Sequence, residues 1–333
     1  MDRERTKHLT STMAKNFYLH YDFRAPAIGP PADRVYAAAL EQCAWGETVG
    51  FGEVVISSHH GCDDDYGPSP IVAATAIAAR TNSLHIVPVV ALPLYDPIHV
   101  AEDVAVVDLI SGGRVELVVG AGYRPSEFAM FGYDMSRRGR LLDEGITAIR
   151  RAWEGEPFEF RGRRILVRPR PHQRPGPQIA VAGFSEAAAR RAARLGDAYM
   201  PMAGTDPIDI YVAECRALGK TPSVRRVVNW MFLHVTEDPE RAWHRLAPHL
   251  LHVSNSYAKW MSEAATTQVY QPATDVNALK GTGTFEVVTP DEAIALVENA
   301  DNVIVDPLFG GCPPELAEES LELLATRVIP AFT

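Results

Sequence analysis

Hydrophobic positions fall into short apolar runs that alternate with longer amphipathic stretches along almost the whole chain. The short runs are rich in Val, Ile and Ala and predict strands, whereas the longer stretches begin at Ser, Thr or Asp, often before Pro, and predict helices. The predicted strands cover residues 17–23, 53–57, 84–92, 115–119, 178–182, 197–200, 227–235 and 302–305. A helix is predicted after each of these strands, which indicates an α/β fold.

Strand–helix alternation without a break in composition favours a single (β/α)8 TIM barrel over residues 16–333, after a disordered leader at 1–15. A doubly wound sheet is the main alternative, but no G-x-G-x-x-G follows the first strand. Two insertions interrupt the pattern. Residues 156–177, rich in Arg and Pro, predict a hairpin before the fifth strand. Residues 252–285 are polar and lack sustained periodicity, so we expect either an active-site lid or a plain surface insertion.

Composition narrows the functional class. The net charge of −10 and the pI near 5.6 argue against a nucleic-acid partner. No apolar run approaches the ~20 residues that span a bilayer, and the first residues lack a signal-peptide core, so we expect a cytoplasmic protein without membrane contact. No C-x-x-C spacing occurs, which indicates free thiols. The cysteines are Cys43, Cys62, Cys215 and Cys312.

Two adjacent histidines follow the second predicted strand, in the segment SSHHG. The carboxyl ends of barrel strands form the catalytic face, and imidazole exchanges protons near neutral pH, so His59 and His60 are candidate catalytic residues. The run Asp63–Asp65 beside them raises the possibility of a metal, but ligand spacings such as H-x-H are absent. We therefore predict no metal and a solvated acidic loop, with Tyr66 folding over the pocket.

Two glycine-containing turns at the same predicted rim are suited to a flat, anionic ligand. The Gly120–Ala121–Gly122 turn allows a ring to approach the backbone, and Arg124 is placed to pair with an anion. Tyr123 is placed to stack and is a third candidate catalytic residue. The Ala182–Gly183–Phe184–Ser185 turn opens a helix, whose free N–H groups and dipole favour an anion.

The run PLYDPIHVAEDVAVVDLISGGR within residues 92–114, followed by VELVVGAGYRPSEFAMFG, resembles the bacterial luciferase-like family of flavin-dependent oxidoreductases. The segment AGFSEAAARRAARLGD matches the same family. This resemblance implies reduced FMN, supplied by a separate flavin reductase, and O2 that oxygenates a small organic substrate through a flavin C4a-peroxide. A deazaflavin oxidoreductase, a non-catalytic subunit and a metal-dependent barrel hydrolase remain open alternatives.

The resemblance also implies roles for particular residues. His59 matches the family histidine beside the flavin, although Ser58 stands where the family usually has Glu. The Gly183–Ser185 turn matches the phosphate site. Gly120–Ala121 replaces the Cys-Arg pair of luciferase, so light emission is not expected.

Strand three matches the place where the family has a non-prolyl cis peptide, here between Pro88 and Val89; a plain trans strand is the alternative. We expect a homodimer through helices two and three. Pocket walls, with core packing as the alternative, are predicted at Tyr18, His20, Ser58, Tyr66 and Trp230.

Overall fold

A computed structural model describes residues 15–201, 207–225, 232–264, 270–300 and 302–332. Residues 1–14 of the predicted leader and the predicted wall residue Trp230 lie outside these ranges. Lys15, which the sequence assigned to the leader, donates hydrogen bonds from Nζ to the carbonyls of Glu298 and Ala300.

Strands and helices alternate as the hydrophobic pattern predicts. The strands are β1 Asn16–Tyr21, β2 Phe51–Ile56, β3 His85–Ala91, β4 Glu116–Gly120, β5 Phe158–Phe160, β6 Arg163–Ile165, β7 Gln178–Gly183, β8 Ala198–Pro201, β9 Phe232–Val235, β10 Phe285–Val288 and β11 Asn302–Val305. The helices are α1 Ala32–Val49, α2 Pro70–Ala78, α3 Pro97–Ser111, α4 Pro125–Phe131, α5 Arg138–Glu154, α6 Glu186–Leu195, α7 Ile208–Ala217, α8 Pro239–Glu263, α9 Pro290–Glu298 and α10 Pro314–Leu323.

Seven parallel strands form one sheet in the order β11-β1-β2-β3-β4-β7-β8. Side chains from both ends of this order, Ile304 on β11 and Met200 on β8, belong to one buried apolar cluster with Tyr18 and Val87. Because the two edges of the sheet share one interior, the sheet is curled. The opposite face packs against the helices and forms the main core. Strands β9 and β10 form a separate parallel pair, and β9 lies beside β11.

The predicted hairpin within residues 156–177 is confirmed, because β5 and β6 pair antiparallel. The prediction of an aperiodic segment from residue 252 is wrong in its first part, because α8 continues to Glu263. Apolar side chains at Leu250, Val253 and Met261 keep the buried face of this helix in helical spacing. The predicted seventh strand is described only from Phe232 onwards.

An ion cluster lies at the amino ends of the central strands. Arg225 donates hydrogen bonds to Glu53 at 2.9 and 3.1 Å and also pairs with Glu116. Glu116 begins β4 and Glu53 lies near the start of β2, so their like charges would repel without the guanidinium between them. The cluster stabilises this end of the sheet, and the opposite ends carry the loops that hold the candidate site.

Candidate active site

His59 is the centre of the polar side chains at the carboxyl ends of β2 and β4. Its Nδ1 lies 2.8 Å from Glu127 Oε1, and its Nε2 lies 3.2 Å from the Tyr123 hydroxyl. Glu127 is in the first turn of α4, and Tyr123 is in the loop between β4 and that helix. The two loops therefore position one continuous chain of hydrogen bonds, Glu127–His59–Tyr123.

Glu127 also fixes the loop that carries His59. The same Oε1 accepts the backbone N–H of His60 at 2.9 Å. Arg124 Nη1 lies 3.4 Å from this oxygen. Burial alone would raise the pKa of Glu127, but the hydrogen bond and charge of His59 bring that pKa below its usual value. Glu127 therefore remains a carboxylate, and its charge holds the His59 Nδ1–H in place.

Burial lowers the pKa of His59, and the hydrogen bond to Glu127 only partly offsets this effect. Near neutral pH the imidazole is thus mainly uncharged, with Nε2 directed at Tyr123. Ser58 lacks a carboxylate, but Glu127 provides one from another element. Ser58 Oγ instead donates to the Val89 carbonyl at 2.9 Å.

Aromatic rings surround His59. The centroids of Tyr66 and Trp260 each lie 5.0 Å from the imidazole centroid, and the Tyr123 ring lies 5.5 Å away. Trp260 and Tyr257 come from the second half of α8, and the hydroxyl of Tyr257 lies 3.1 Å from that of Tyr66. Tyr66, which the sequence predicts to fold over the pocket, lies with its ring against His59 and Trp260. The rings exclude water from the imidazole, which explains its lowered pKa.

A buried arginine connects this aromatic cover to β1. Arg24 is fully buried and pairs with Asp22 and Asp64. Its guanidinium carbon lies 4.7 Å from the Trp260 ring centroid. His252 Nε2, on α8, lies 2.7 Å from Asp64 Oδ2. Burial would raise the pKa of Asp64, but His252 and Arg24 bring it down to about 2.

The prediction of a solvated acidic loop is therefore wrong for Asp64, although Asp63 and Asp65 are exposed. The buried carboxylate attaches the loop after β2 to Arg24 and α8. Across the described ranges, no group of three or more His, Cys, Asp or Glu side chains is placed to hold a metal ion.

His60 points away from the His59 chain. Its Nε2 lies 2.9 Å from the Tyr95 hydroxyl, and its ring packs edge-on against Phe131. The His60 ring therefore contacts Tyr95 and Phe131 and takes no part in the hydrogen bonds of the His59 ring. Arg124, predicted to hold an anion, contacts the His60 carbonyl at 3.2 Å and Cys62 Sγ at 3.0 Å, and it covers the Trp260 ring. The described contacts of Arg124 are thus with the loop that carries His59 and with Trp260, which packs on His59.

Small residues at the ends of β3, β4 and β7 form a half-buried platform, which consists of Val89, Gly120 and Ala182. Val89 and Ala182 pack on the cluster inside the curled sheet. A Cβ at Gly120 would meet nothing closer than 4.0 Å, so the backbone there is open. Gly122 has a φ of +72°, which favours glycine, and it turns the chain toward Tyr123. Ala121 is likewise half-buried.

The turn after β7 has the predicted form. Ser185 Oγ accepts the N–H of Ala188 at 3.3 Å and caps α6. A Cβ at Gly183 would lie 2.5 Å from Ala188 Cβ, so only glycine allows this close approach of strand and helix. The Phe184 ring packs edge-on against Tyr123 at 6.5 Å, which places the turn beside the His59 chain.

Three other predictions have different outcomes. Among the described residues the cis peptide bonds are Arg168–Pro169 and Arg174–Pro175, so the bond between Pro88 and Val89 is trans. Pro88 is buried and pairs with Ile56 in the sheet. Tyr18 lies in the cluster inside the sheet, as its core-packing alternative expects, because alternate residues of a curled sheet point inward. His20 is at the rim, where it bonds to Ser57 and Asp306.

Sequence reasoning missed Glu127, Arg24, Tyr257 and Trp260. Glu127 is within the run quoted above, but its partner His59 is 68 positions away. A signal was present for α8, where Leu246, Leu250, Val253 and Tyr257 continue the helical spacing.

The chain belongs to the luciferase-like monooxygenase family, because residues 17–303 match the family model of that description. An uncharacterised protein of Sinorhizobium fredii is 30% identical over 57% of this chain and 56% of its own length. The FMNH2-dependent dimethylsulfone monooxygenase of Pseudomonas putida is 28% identical over 49% of this chain and 47% of its own length. The chain thus spans about half the length of the curated relatives it matches.

Solved structures share the fold. A monooxygenase from Streptomyces bottropensis superposes with a TM-score of 0.76 at 23% identity, covering 96% of this chain and 100% of its own. The oxygenating constituent of 3,6-diketocamphane monooxygenase from Pseudomonas putida, in complex with FMN, gives 0.72 at 20%, covering 96% and 99%. An F420-dependent secondary alcohol dehydrogenase gives 0.70 at 18%, covering 96% and 100%.

Replacing Glu127 with Gln tests the electrostatic link to His59. The amide oxygen still accepts the Nδ1–H, but the negative charge that raises the pKa of His59 is removed. We therefore expect the pKa of His59, measured as the midpoint of a pH titration of its ring protons by NMR, to fall further. The matched control is Glu159→Gln on exposed β5, which should leave it unchanged. An unchanged midpoint in Glu127→Gln would show that the carboxylate does not influence the imidazole.

Proposed function

We propose that this protein is a flavin-dependent monooxygenase that binds reduced FMN and uses O2 to oxidise a small organic substrate. The observation that carries the proposal is the position of the Glu127–His59–Tyr123 chain at the same rim as the small-residue platform. The reaction of a reduced flavin with O2 needs a surface that supports the flavin ring, a side chain that exchanges protons and a pocket that excludes water. The names of the Pseudomonas putida relative and the FMN complex among the structural neighbours support the choice of cofactor.

The residues present fit a flavin. Gly120 leaves the backbone open at the carboxyl end of β4, half-buried Ala182 on the adjacent β7 carries only a methyl group, and Val89 adds an apolar edge. A planar ring system packs on such a surface without displacing side chains. The turn at Gly183–Ser185 lies next to this platform and begins a ten-residue helix, so its N–H groups and dipole suit the cofactor phosphate.

Reduced FMN, when bound, would supply the activation of O2, and the chain would control protons and water. His59 is uncharged near neutral pH, so Nε2 can accept a proton that arises in the pocket. Glu127 stabilises the imidazolium that then forms, as a buried carboxylate does for a neighbouring histidine. Tyr123 connects Nε2 to the platform side of the rim. Tyr66, Tyr257 and Trp260 exclude bulk water, which protects reactive species from hydrolysis.

We also propose that the curled sheet closes as an eight-stranded barrel. Val224 forms a parallel bridge with Tyr199 on β8 at one edge of the sheet, and β9 lies beside β11 at the other edge. A closed barrel places all the loops discussed above around one opening.

The partners follow from this chemistry. We propose that a separate flavin reductase delivers reduced FMN, because the neighbour from Pseudomonas putida is named as the oxygenating constituent of its monooxygenase. A reduced deazaflavin, which would support hydride transfer without O2, is the second candidate. The F420-dependent dehydrogenase among the structural neighbours favours it, and it would use the same platform.

Among the described residues, none of the helices combines the length and the apolar character that a membrane-spanning helix needs.

A carboxylate placed in the phosphate turn should weaken cofactor binding. Asp caps helices as well as Ser, so Ser185→Asp should preserve α6 while repelling phosphate. We expect the FMN dissociation constant to rise at least tenfold, a loss of ~1.4 kcal/mol, measured by equilibrium dialysis. Ser69→Asp, at the start of α2, is the control and should not change it. Equal affinities of Ser185→Asp and the parent would remove this turn from the site.

Loss of the imidazole should slow turnover without releasing the cofactor. We expect His59→Ala to reduce turnover about 10²- to 10⁴-fold, while FMN affinity changes little, because the phosphate is held elsewhere. Oxygen consumption with reduced FMN measures the rate. His244→Ala, on the exposed side of α8, should behave as the parent does. A His59→Ala variant that turns over at the parent rate between pH 6 and 8 would contradict the proton role.

Exposed apolar side chains on α2 and α3 support a homodimer. Val72 is 70% exposed and Ile110 is 47% exposed, with Val106 and Leu109 on the same part of α3. Exposed patches of this kind usually mark an interface. We expect light scattering at micromolar concentration to give about twice 36.5 kDa, and Val72→Asp with Ile110→Asp to give the monomer mass. Leu218→Asp is the control. A monomeric parent would reject the dimer.

A further inference from the structure

A second chain of hydrogen bonds lies at the rim and takes no part in the His59 unit. Ser57 Oγ is 2.7 Å from His20 Nε2, and His20 Nδ1 is 2.7 Å from Asp306 Oδ2. Ser57 directly follows β2, His20 is near the end of β1 and Asp306 directly follows β11. Three neighbouring strands of one sheet thus present a hydroxyl, an imidazole and a carboxylate in line, at the distances expected for an activated nucleophile.

The surroundings of the Asp306 carboxylate determine which groups donate and which accept along these hydrogen bonds. Asp306 is 1% exposed, and its Oδ1 accepts no hydrogen bond from the described residues. The carboxylate therefore acts through Oδ2, which favours the proton on His20 Nδ1 and leaves Nε2 as the acceptor for the Ser57 hydroxyl. This is the tautomer that a general base beside a serine requires.

Ser57 and His20 remain accessible, because both residues are only half-buried. The neighbouring Ser58 differs, since its Oγ donates to the carbonyl of Val89 and has no imidazole partner. The backbone N–H of Ser57 donates to the Tyr21 carbonyl at 3.1 Å, which fixes the residue beside β1. The hydroxyl is therefore held against its base while still reachable by a small molecule.

We propose that Ser57, His20 and Asp306 form a nucleophilic triad that gives the protein an acyl-transfer activity towards small carboxylic esters. In the first step the Ser57 Oγ forms a bond to the ester carbonyl carbon, and its proton moves to His20 Nε2. The C–O bond to the alcohol then breaks, and His20 returns the proton to the departing alkoxide. Water, deprotonated by His20, attacks the acyl group and releases the carboxylic acid and free Ser57. Asp306 stabilises the imidazolium in both steps.

The test uses the full-length protein without added flavin, so its outcome is independent of the proposed monooxygenase function. The probe is a fluorophosphonate, which forms an Oγ–P bond with an activated serine and expels fluoride. We expect one adduct per chain, located on Ser57 by peptide fragmentation. p-Nitrophenyl acetate should release p-nitrophenol at a rate that Ser57→Ala lowers at least tenfold.

Two further variants and an internal control make the result decisive. His20→Gln and Asp306→Asn, with folding checked by thermal melting, should each slow labelling at least tenfold. Ser136 provides the control, because its Oγ lies 2.7 Å from the carboxylate of Asp134 but has no histidine. An unlabelled Ser57 in the parent, labelling of Ser136 at the same rate, or full labelling in folded His20→Gln would each overturn the proposal.

Discussion

The buried carboxylate of Glu127 is the constraint around which the rim is organised. A carboxylate that is removed from water must be compensated by donors, and Glu127 obtains them from the His59 ring, the His60 backbone and Arg124. These groups come from the loop after β2 and the loop after β4. Satisfying one charge therefore fixes the relative position of two loops and the tautomer of the histidine between them.

A second buried charge attaches α8 to the same rim. Arg24 is compensated by Asp22 and Asp64, and Asp64 in turn binds His252. With α8 held in this way, Tyr257 and Trp260 cover His59. The resulting low-dielectric surroundings strengthen the Glu127–His59 interaction and lower the pKa of the imidazole at the same time. The two buried charges thus determine both the geometry and the protonation state of the site.

The sequence predicts what depends on local pattern. Apolar runs, the N-cap Ser185 and the glycine turns are local features, and the strands and helices they predict agree closely with the structure. The resemblance to the luciferase-like family indicated which turns and which histidine form the candidate site. The second half of α8 was missed because Ser254, Asn255 and Ser256 compete with the helical backbone and hide a regular buried face.

The remaining differences depend on tertiary contacts. Glu127 and His59, like His20 and Asp306, lie far apart in the sequence, and a single sequence gives no sign that they meet. Asp64 was misplaced because its ion pairs with Arg24 and His252 decide that this carboxylate becomes buried. The bond between Pro88 and Val89 is trans, since the strand continues regularly into its pairing with β4.

The central claim is that this rim holds a reduced flavin for reaction with O2. The most direct test titrates the purified protein anaerobically with reduced FMN and, separately, with reduced deazaflavin, and then follows the absorbance after air is admitted. The account predicts saturable binding of reduced FMN at about one equivalent per chain, and a reoxidation course that differs from free FMN. Binding of the deazaflavin alone, or reoxidation identical to that of free FMN, would contradict it.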